Sequence, residues 1–313
     1  MAGYPDFART TVVPVNGSGP EDVVVDADGT VYTGLADGRI IAVSEGGALI
    51  RTVADTGGRP LGIELYGPGE LLVCDQDRGL LVVTPASGRV RQLADRAGGR
   101  KLLACNNAAV AADGTVYFSD SSTRFPIPRW REDLIEQTGT GRLLRRTPDG
   151  AIDLLLDGLQ FANGVALAPD ESFVTVAETG ACRVRAVELS GGTARTFLDG
   201  LPGHPDNSST GTDGLLWITQ ASPTVAALRI VRALPAPLRA AVRALPTWAQ
   251  PSPARRCGVL GVRPDGEVVH DLSGELAGFQ VLTGVREHHG TLWFGSLVGT
   301  AIARLDGLSA ELP

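Results

Sequence analysis

The sequence has no run of 18 uninterrupted apolar residues, so no membrane-spanning helix is expected. Lys and Arg number 28 against 35 Asp and Glu, for a net charge of −7 and a pI near 5.2. With that balance no basic stripe able to neutralise a phosphate backbone is expected, which argues against nucleic acid as a partner. Four cysteines (Cys74, Cys105, Cys182 and Cys257) lie far apart without a CxxC pair. They predict buried thiols in a reducing compartment and neither a zinc site nor a disulfide frame. The opening stretch MAGYPDFARTT lacks the charged and apolar regions of a signal peptide, so a cytoplasmic location is expected. No GxSxG element occurs, and SSTGTDG has no strand–nucleophile–helix context, which disfavours a serine hydrolase. TGTGRLL (138–144) has the glycines of a phosphate loop but no helical pattern after it. No break in charge or composition marks a second domain, so residues 1–313 are expected to form one.

What the chain does have is glycine, 40 residues of it, with 20 prolines. That composition favours many turns between short strands. A recurring unit appears: strand, tight turn of the Asp-Gly kind, strand. Its copies are EDVVVDADGTVYTG (21–34), LGIELYGPGELLVCD (61–75), NNAAVAADGTVYFSD (106–120), NGVALAPDESFVTVAE (163–178), DNSSTGTDGLLWITQ (206–220) and LTGVREHHGTLWFGS (282–296). Further strands follow most copies, such as GRIIAVS (38–44) and GLLVVTP (79–85). Six such units predict an all-β, six-bladed β-propeller. RTTVVPV (9–15) is expected to close the last blade. Two stretches break the rhythm and predict short helical insertions, 124–139 in blade three and 224–256 in blade five. The second has apolar residues at helical spacing, with Arg229, Arg232, Arg239 and Arg243 between them. Pro235, Pro237 and Pro246 divide it. It predicts an amphipathic cap, with a lid or a surface-bound membrane helix as sharper alternatives.

Aligned on their hairpin turns, the six units place Glu21, Leu61, Asn106, Asn163, Asp206 and Leu282 in one register. In a propeller, the start of each first strand lies near the axis, so these positions converge. Glu21, Asn106, Asn163 and Asp206 would bring two carboxylates and two carboxamides to one spot. An all-oxygen set without His or Cys suits a hard cation, Ca²⁺ first and Mg²⁺ or Mn²⁺ next. The plainer alternative is four unrelated caps at strand entries.

GPEDVVVDADG, TGTGRLLRRTPDG, FANGVALAPDESFVTVAET and LPGHPDN together resemble the strictosidine synthase-like proteins, the adipocyte plasma membrane-associated type above all. More distantly they resemble the gluconolactonase, regucalcin and paraoxonase propellers. The resemblance runs over nearly the whole chain. It implies that Glu21, Asn163 and Asp206 bind calcium and that Asn106 is a ligand or substrate contact. Strictosidine synthase itself uses a late-blade Glu as base, where this chain has Leu282 and Thr283, a departure that counts against amine–aldehyde condensation. The expected activity is metal-dependent hydrolysis of lactones or aryl esters on a small-molecule substrate. Asp206 or Glu21 is the candidate base and His204 a proton shuttle. Asn107 and Asp120 are expected to line the pocket, unless Asp120 only satisfies backbone groups. His288 and His289 are expected at a turn, and His270 at a strand end. A natural-product cyclase or isomerase, a strictosidine synthase-like lyase and a non-enzymatic scaffold pinned by its ion are the alternatives. Oligomeric state is left open.

Overall fold

The computed structural model describes residues 7–308 except 45, 48, 255, 276–278 and 280. Both ends of the expected 1–313 domain, and Arg255 of the expected insertion, lie outside the described residues. Six four-stranded antiparallel sheets follow one another along the chain, as the repeat predicts. Their first strands are Val23–Val25, Pro60–Leu65, Cys105–Val110, Ala162–Leu167, Gly203–Thr210 and Leu282–His288. Adjacent first strands pack side by side around a common axis. The middle strands are covered by neighbouring blades on both faces, so stretches such as Phe173–Glu178 and Cys257–Val262 are buried throughout. The outermost strands, such as Arg89–Ala94, are polar and largely exposed. Thr11–Pro14 pairs with Ala301–Asp306, Thr11 facing Arg304 and Pro14 facing Ala301. The ring is thereby closed by the strand expected to do so.

The hairpin turns fit the alignment in five blades, the sixth being one residue shorter. Gly29, Gly69, Gly114, Gly214 and Gly290 all have positive φ, where a side chain would be strained. Blade four puts Glu171 there, at φ +56°. Its carboxylate accepts the Ala112 N–H of the neighbouring blade at 2.7 Å, a contact glycine could not make.

Five first strands carry a bulge, four of them at the register positions. In blade four, Ala162 faces Glu178 but Val165 faces Val176, so Asn163 and Gly164 together oppose Ala177. The same shift occurs in blades two, three and five, and in blade six one residue later: its hairpin is one residue shorter, so Leu282 still pairs with Ser296 while Thr283 and Gly284 share the bulge. A bulge turns its first residue away from the ladder. In blade one the two places are held by Glu21 and Asp22, just ahead of Val23–Val25.

The second bulge position alternates around the ring: Asp22, Gly62, Asn107, Gly164, Asn207, Gly284. Two of the polar members hold the backbone of the next blade, while Asn207 donates to Glu21 of blade one and its Oδ1 has no hydrogen-bond partner. The Asp22 carboxylate accepts the Ile63 N–H at 3.2 Å, and Asn107 Oδ1 accepts the Val165 N–H at 2.8 Å. Each glycine is pressed against the blade that follows. A Cβ on Gly164 would sit 2.3 Å from Ser208 N and 2.4 Å from Asp206 O, both backbone atoms.

The two insertions are helical where expected. α1 (Trp130–Glu136) leaves blade three, and α2 (Ala226–Ala233) and α3 (Ala236–Arg243) leave blade five. Pro235 ends α2 and starts α3, and a short 3-10 turn follows Pro246. Arg243 on α3 clamps α1 through Glu132 at 3.0 Å and Glu136 at 2.5 Å. Arg232 on α2 donates to Leu134 O at 2.9 Å. Ile127 and Leu134 pack with Leu61, Ala104 and Phe161, seating α1 on the blade ends.

Candidate active site

A cavity of about 90 Å³ opens on the axis under the helical cap. Five of the six register residues, Glu21, Leu61, Asn106, Asn163 and Asp206, line it; in blade six Thr283, the first residue of the bulge, stands where the alignment expects Leu282. His204 and Thr179 complete the polar floor, while Trp130, Leu134, Phe161 and Leu228 supply apolar walls. Two carboxylates, two carboxamides and an imidazole therefore meet where the alignment puts them.

The carboxylates are buried, and among the described residues neither has a cationic side chain in ion-pair contact. Burial, then the neighbouring Asp22 and Asp206, pushes Glu21 well above the usual carboxylate range. Arg59 opposes this only partly. Burial raises Asp206 to about 7, although the Asn163 amide donates to it at 2.6 Å. Both carboxamides have committed their nitrogens. Asn163 Nδ2 also donates to Thr179 Oγ1 at 3.2 Å, and Asn106 Nδ2 donates to Ser121 Oγ at 2.9 Å. This leaves Asn106 Oδ1 and Asn163 Oδ1 buried without a hydrogen-bond partner. A buried oxygen without a donor is uncommon, and two of them beside two buried carboxylates form an acceptor-only set. That set fits a hard divalent cation. Among the described residues no three His, Cys, Asp or Glu side chains gather as a metal cluster; the axial set depends on its carboxamides.

His204 is held by the Thr179 carbonyl, 2.9 Å from Nδ1. A carbonyl only accepts, so Nδ1 carries the proton and Nε2 keeps its lone pair. Burial lowers the imidazole below its ordinary range, which keeps it neutral. Cys182 Sγ lies 3.5 Å from the same nitrogen.

Two residues expected in the pocket stand elsewhere. Asn107 occupies a second bulge position and points between blades, its Nδ2 donating to Asp22 Oδ2 at 3.0 Å. Asp120 is fully buried, accepting the Ala104 N–H at 2.8 Å and pairing with Arg142 at 2.6 Å. It is one of a repeated set. Asp75 accepts the Arg59 N–H at 3.2 Å and Glu178 accepts the Gln160 N–H at 2.9 Å, each anchoring the entry of its own blade. His288 and His289 meet at the sixth hairpin turn with their rings tilted by 58°, and His270 stacks on Trp217, all away from the axis. The hairpin alignment passes over Asp22 and Asn207, which support the floor: the Asn207 amide donates to Glu21 Oε2 at 3.1 Å. Moving the register one residue along would have found them.

Comparison with known proteins agrees with this architecture. Residues 60–236, more than half of the chain, match the family model described as SMP-30/Gluconolactonase/LRE-like region. Residues 8–43 match the strictosidine synthase-like N-terminal model. The fold and its axial floor thus define a propeller of the gluconolactonase class. Within that class the chain belongs to the strictosidine synthase-like family. Strictosidine synthase-like 6 of Arabidopsis thaliana is 32% identical over 296 residues, which is 92% of this chain and 78% of that protein. The adipocyte plasma membrane-associated protein of Salmo salar is 38% identical over 226 residues, 65% of this chain; the match spans about half of that relative, 54%. A gluconolactonase of Xanthomonas campestris superposes with a TM-score of 0.68 at 19% identity, over 96% of this chain and 89% of its own. A calcium-binding regucalcin of Agrobacterium tumefaciens does so at 0.66 and 14%, over 97% and 95%. At these identities the structural likeness is one of fold.

Proposed function

We propose that the chain is a divalent-cation-dependent hydrolase of lactones or aryl esters, with Ca²⁺ the leading cation. The observation that carries this is the pair of buried, partnerless carboxamide oxygens of Asn106 and Asn163 beside the buried carboxylates of Glu21 and Asp206. These four residues would hold the ion. When bound, the ion would supply Lewis-acid polarisation of a carbonyl and stabilise charge developing on its oxygen. The chain's own residues do the rest. Asn163 orients Asp206 through its 2.6 Å hydrogen bond. His204, neutral with Nε2 free to accept, takes the proton from an attacking water and returns it to the leaving oxygen. The apolar walls and the cap hold the acyl or aryl part and keep bulk water out.

Condensation of an amine with an aldehyde is disfavoured by the sixth blade. Leu282 is buried and Thr283 uses its hydroxyl to hold Glu21 O at 2.6 Å, so no carboxylate stands there as base. The test is hydrolysis of a γ- or δ-lactone and of phenyl acetate before and after chelation, with Ca²⁺ restored. Activity should vanish with chelation and return with Ca²⁺, and Asn163→Ala should lose both ion affinity and turnover. A melting temperature that depends on Ca²⁺, with no turnover by the loaded protein, would leave an ion-pinned scaffold instead. Turnover that survives chelation in Asn163→Ala would point to a cyclase or isomerase.

A further inference from the structure

The outer face of the cap is chemically unlike the rest of the molecule. Residues 224–256 carry Arg229, Arg232, Arg239, Arg243, Arg255 and Arg256 and no acidic residue, in a chain of net charge −7. Two of these cations are used inward: Arg243 holds α1, and Arg232 donates to the backbone of Leu134 and Gly180. Arg229 is exposed and has no ion pair among the described residues. Arg239 donates only to Leu234 O, at 2.9 Å.

The same segment concentrates exposed apolar surface. Of the ten large apolar side chains exposed among the described residues, four lie here: Ile230, Leu238, Leu245 and Trp248, the last 85% exposed. Leu228, on the other side of α2, is buried and lines the cavity. α2 is therefore amphipathic in an inverted sense for a soluble cap, since its outer side carries Ile230 next to a free arginine.

We propose that this outer face of α2, α3 and the Trp248 turn docks on an anionic lipid surface. Each helix has eight residues, far too few to span a bilayer. Short helices with Ile, Leu and Trp outward and arginines at their flanks lie in the interfacial plane, the apolar side chains entering the acyl boundary and the cations meeting headgroups. The acidic balance of the whole chain does not oppose this, because in ordinary salt charges more than about 10 Å from the surface are screened. Charge complementarity selects the occupant: a face with cations and no acid fits anionic headgroups. Val225, Leu228, Pro251 and Pro253 of the same segment line the cavity, so docking brings the cavity's cap against the lipid. The inference concerns the surface and stands apart from the hydrolase reading.

Vesicle flotation of the full chain tests it, using phosphatidylcholine with and without phosphatidylglycerol, in low and in high salt. The wild type should float with the anionic vesicles, and high salt should release it. Ile230→Ser with Trp248→Ser should lower partitioning at least about tenfold, with an unchanged thermal melt because both side chains are exposed. Arg229→Gln with Arg239→Gln should abolish the preference for anionic lipid. A blue shift of tryptophan emission on binding should disappear in Trp248→Phe. Three results would overturn the proposal: a wild type that stays unbound, a Ser variant that floats as well as the wild type, or a dimer in solution that the Ser substitutions dissociate, which would make a second copy the occupant.

Discussion

Asn163 and Gly164 share one bulge and do different things in it. Asn163 presents a carboxamide to the axis and holds Asp206, while Gly164 lets the backbone of blade five come within reach. Asn163→Ala is expected to keep the fold and weaken Ca²⁺ binding by at least about tenfold, a loss typical of groups that hold a metal ligand in place; isothermal titration reads it directly. Gly164→Ala should do the reverse. Its Cβ would collide with rigid backbone, so stability should fall by about 3 kcal/mol in urea unfolding, with any loss of activity following the unfolded fraction. Asp120→Ala separates the same two roles. It leaves Arg142 as a buried, uncompensated cation, which costs about 3–5 kcal/mol, while kcat/KM of the folded fraction stays near that of the wild type. The residue pattern shows why Asn163 was legible in the sequence while Asp120 stayed between two readings, a pocket wall and the backbone anchor it proves to be. Hairpin turns mark register, and eight residues back from them five of the six units agree; the shorter sixth hairpin leaves Leu282 one residue ahead of its bulge. Asp120 lies at the far end of its strand and meets Arg142, 22 residues on, so no local signal separates an anchor from a pocket wall.

At the scale of elements, the blades were legible because each strand pair carries its own turn. The bulges were not, since one extra residue leaves no mark in composition. They decide that Asn106 faces the axis while Asn107 faces the next blade. The cap was legible as amphipathic helix broken at prolines. Its orientation was not, because Arg243 sets it by meeting Glu132 and Glu136 on a helix from another blade. Arg243→Ala should uncouple α3 from α1. Limited proteolysis should then cut within 234–250 several times faster, and KM should rise while Ca²⁺ affinity is unchanged. The loss in global stability should stay near 1 kcal/mol, the scale of a partly exposed ion-pair network.

At the scale of the molecule, the ring is closed twice, by the Thr11–Pro14 strand at its rim and by the axial residues at its centre. An ion held by Glu21, Asn106, Asn163 and Asp206 would tie blades one, three, four and five together. Binding only the folded ring, it should stabilise it by mass action, about 2.7 kcal/mol at a concentration of one hundred times Kd. Differential scanning calorimetry with and without Ca²⁺ should show one cooperative transition moving upward. A truncation that removes Thr11–Pro14 should lower the same transition even in saturating Ca²⁺, because rim and centre are independent closures.

The alternation at the second bulge position gives the ring a parity. Asp22 and Asn107 reach the backbone of the next blade, Asn207 reaches Glu21, and Gly62, Gly164 and Gly284 make room for a neighbour. Such an order closes only on an even count. Duplicating or deleting one blade would set two reaching residues, or two empty places, side by side. This propeller can therefore gain or lose modules without a clash at its hub only two at a time.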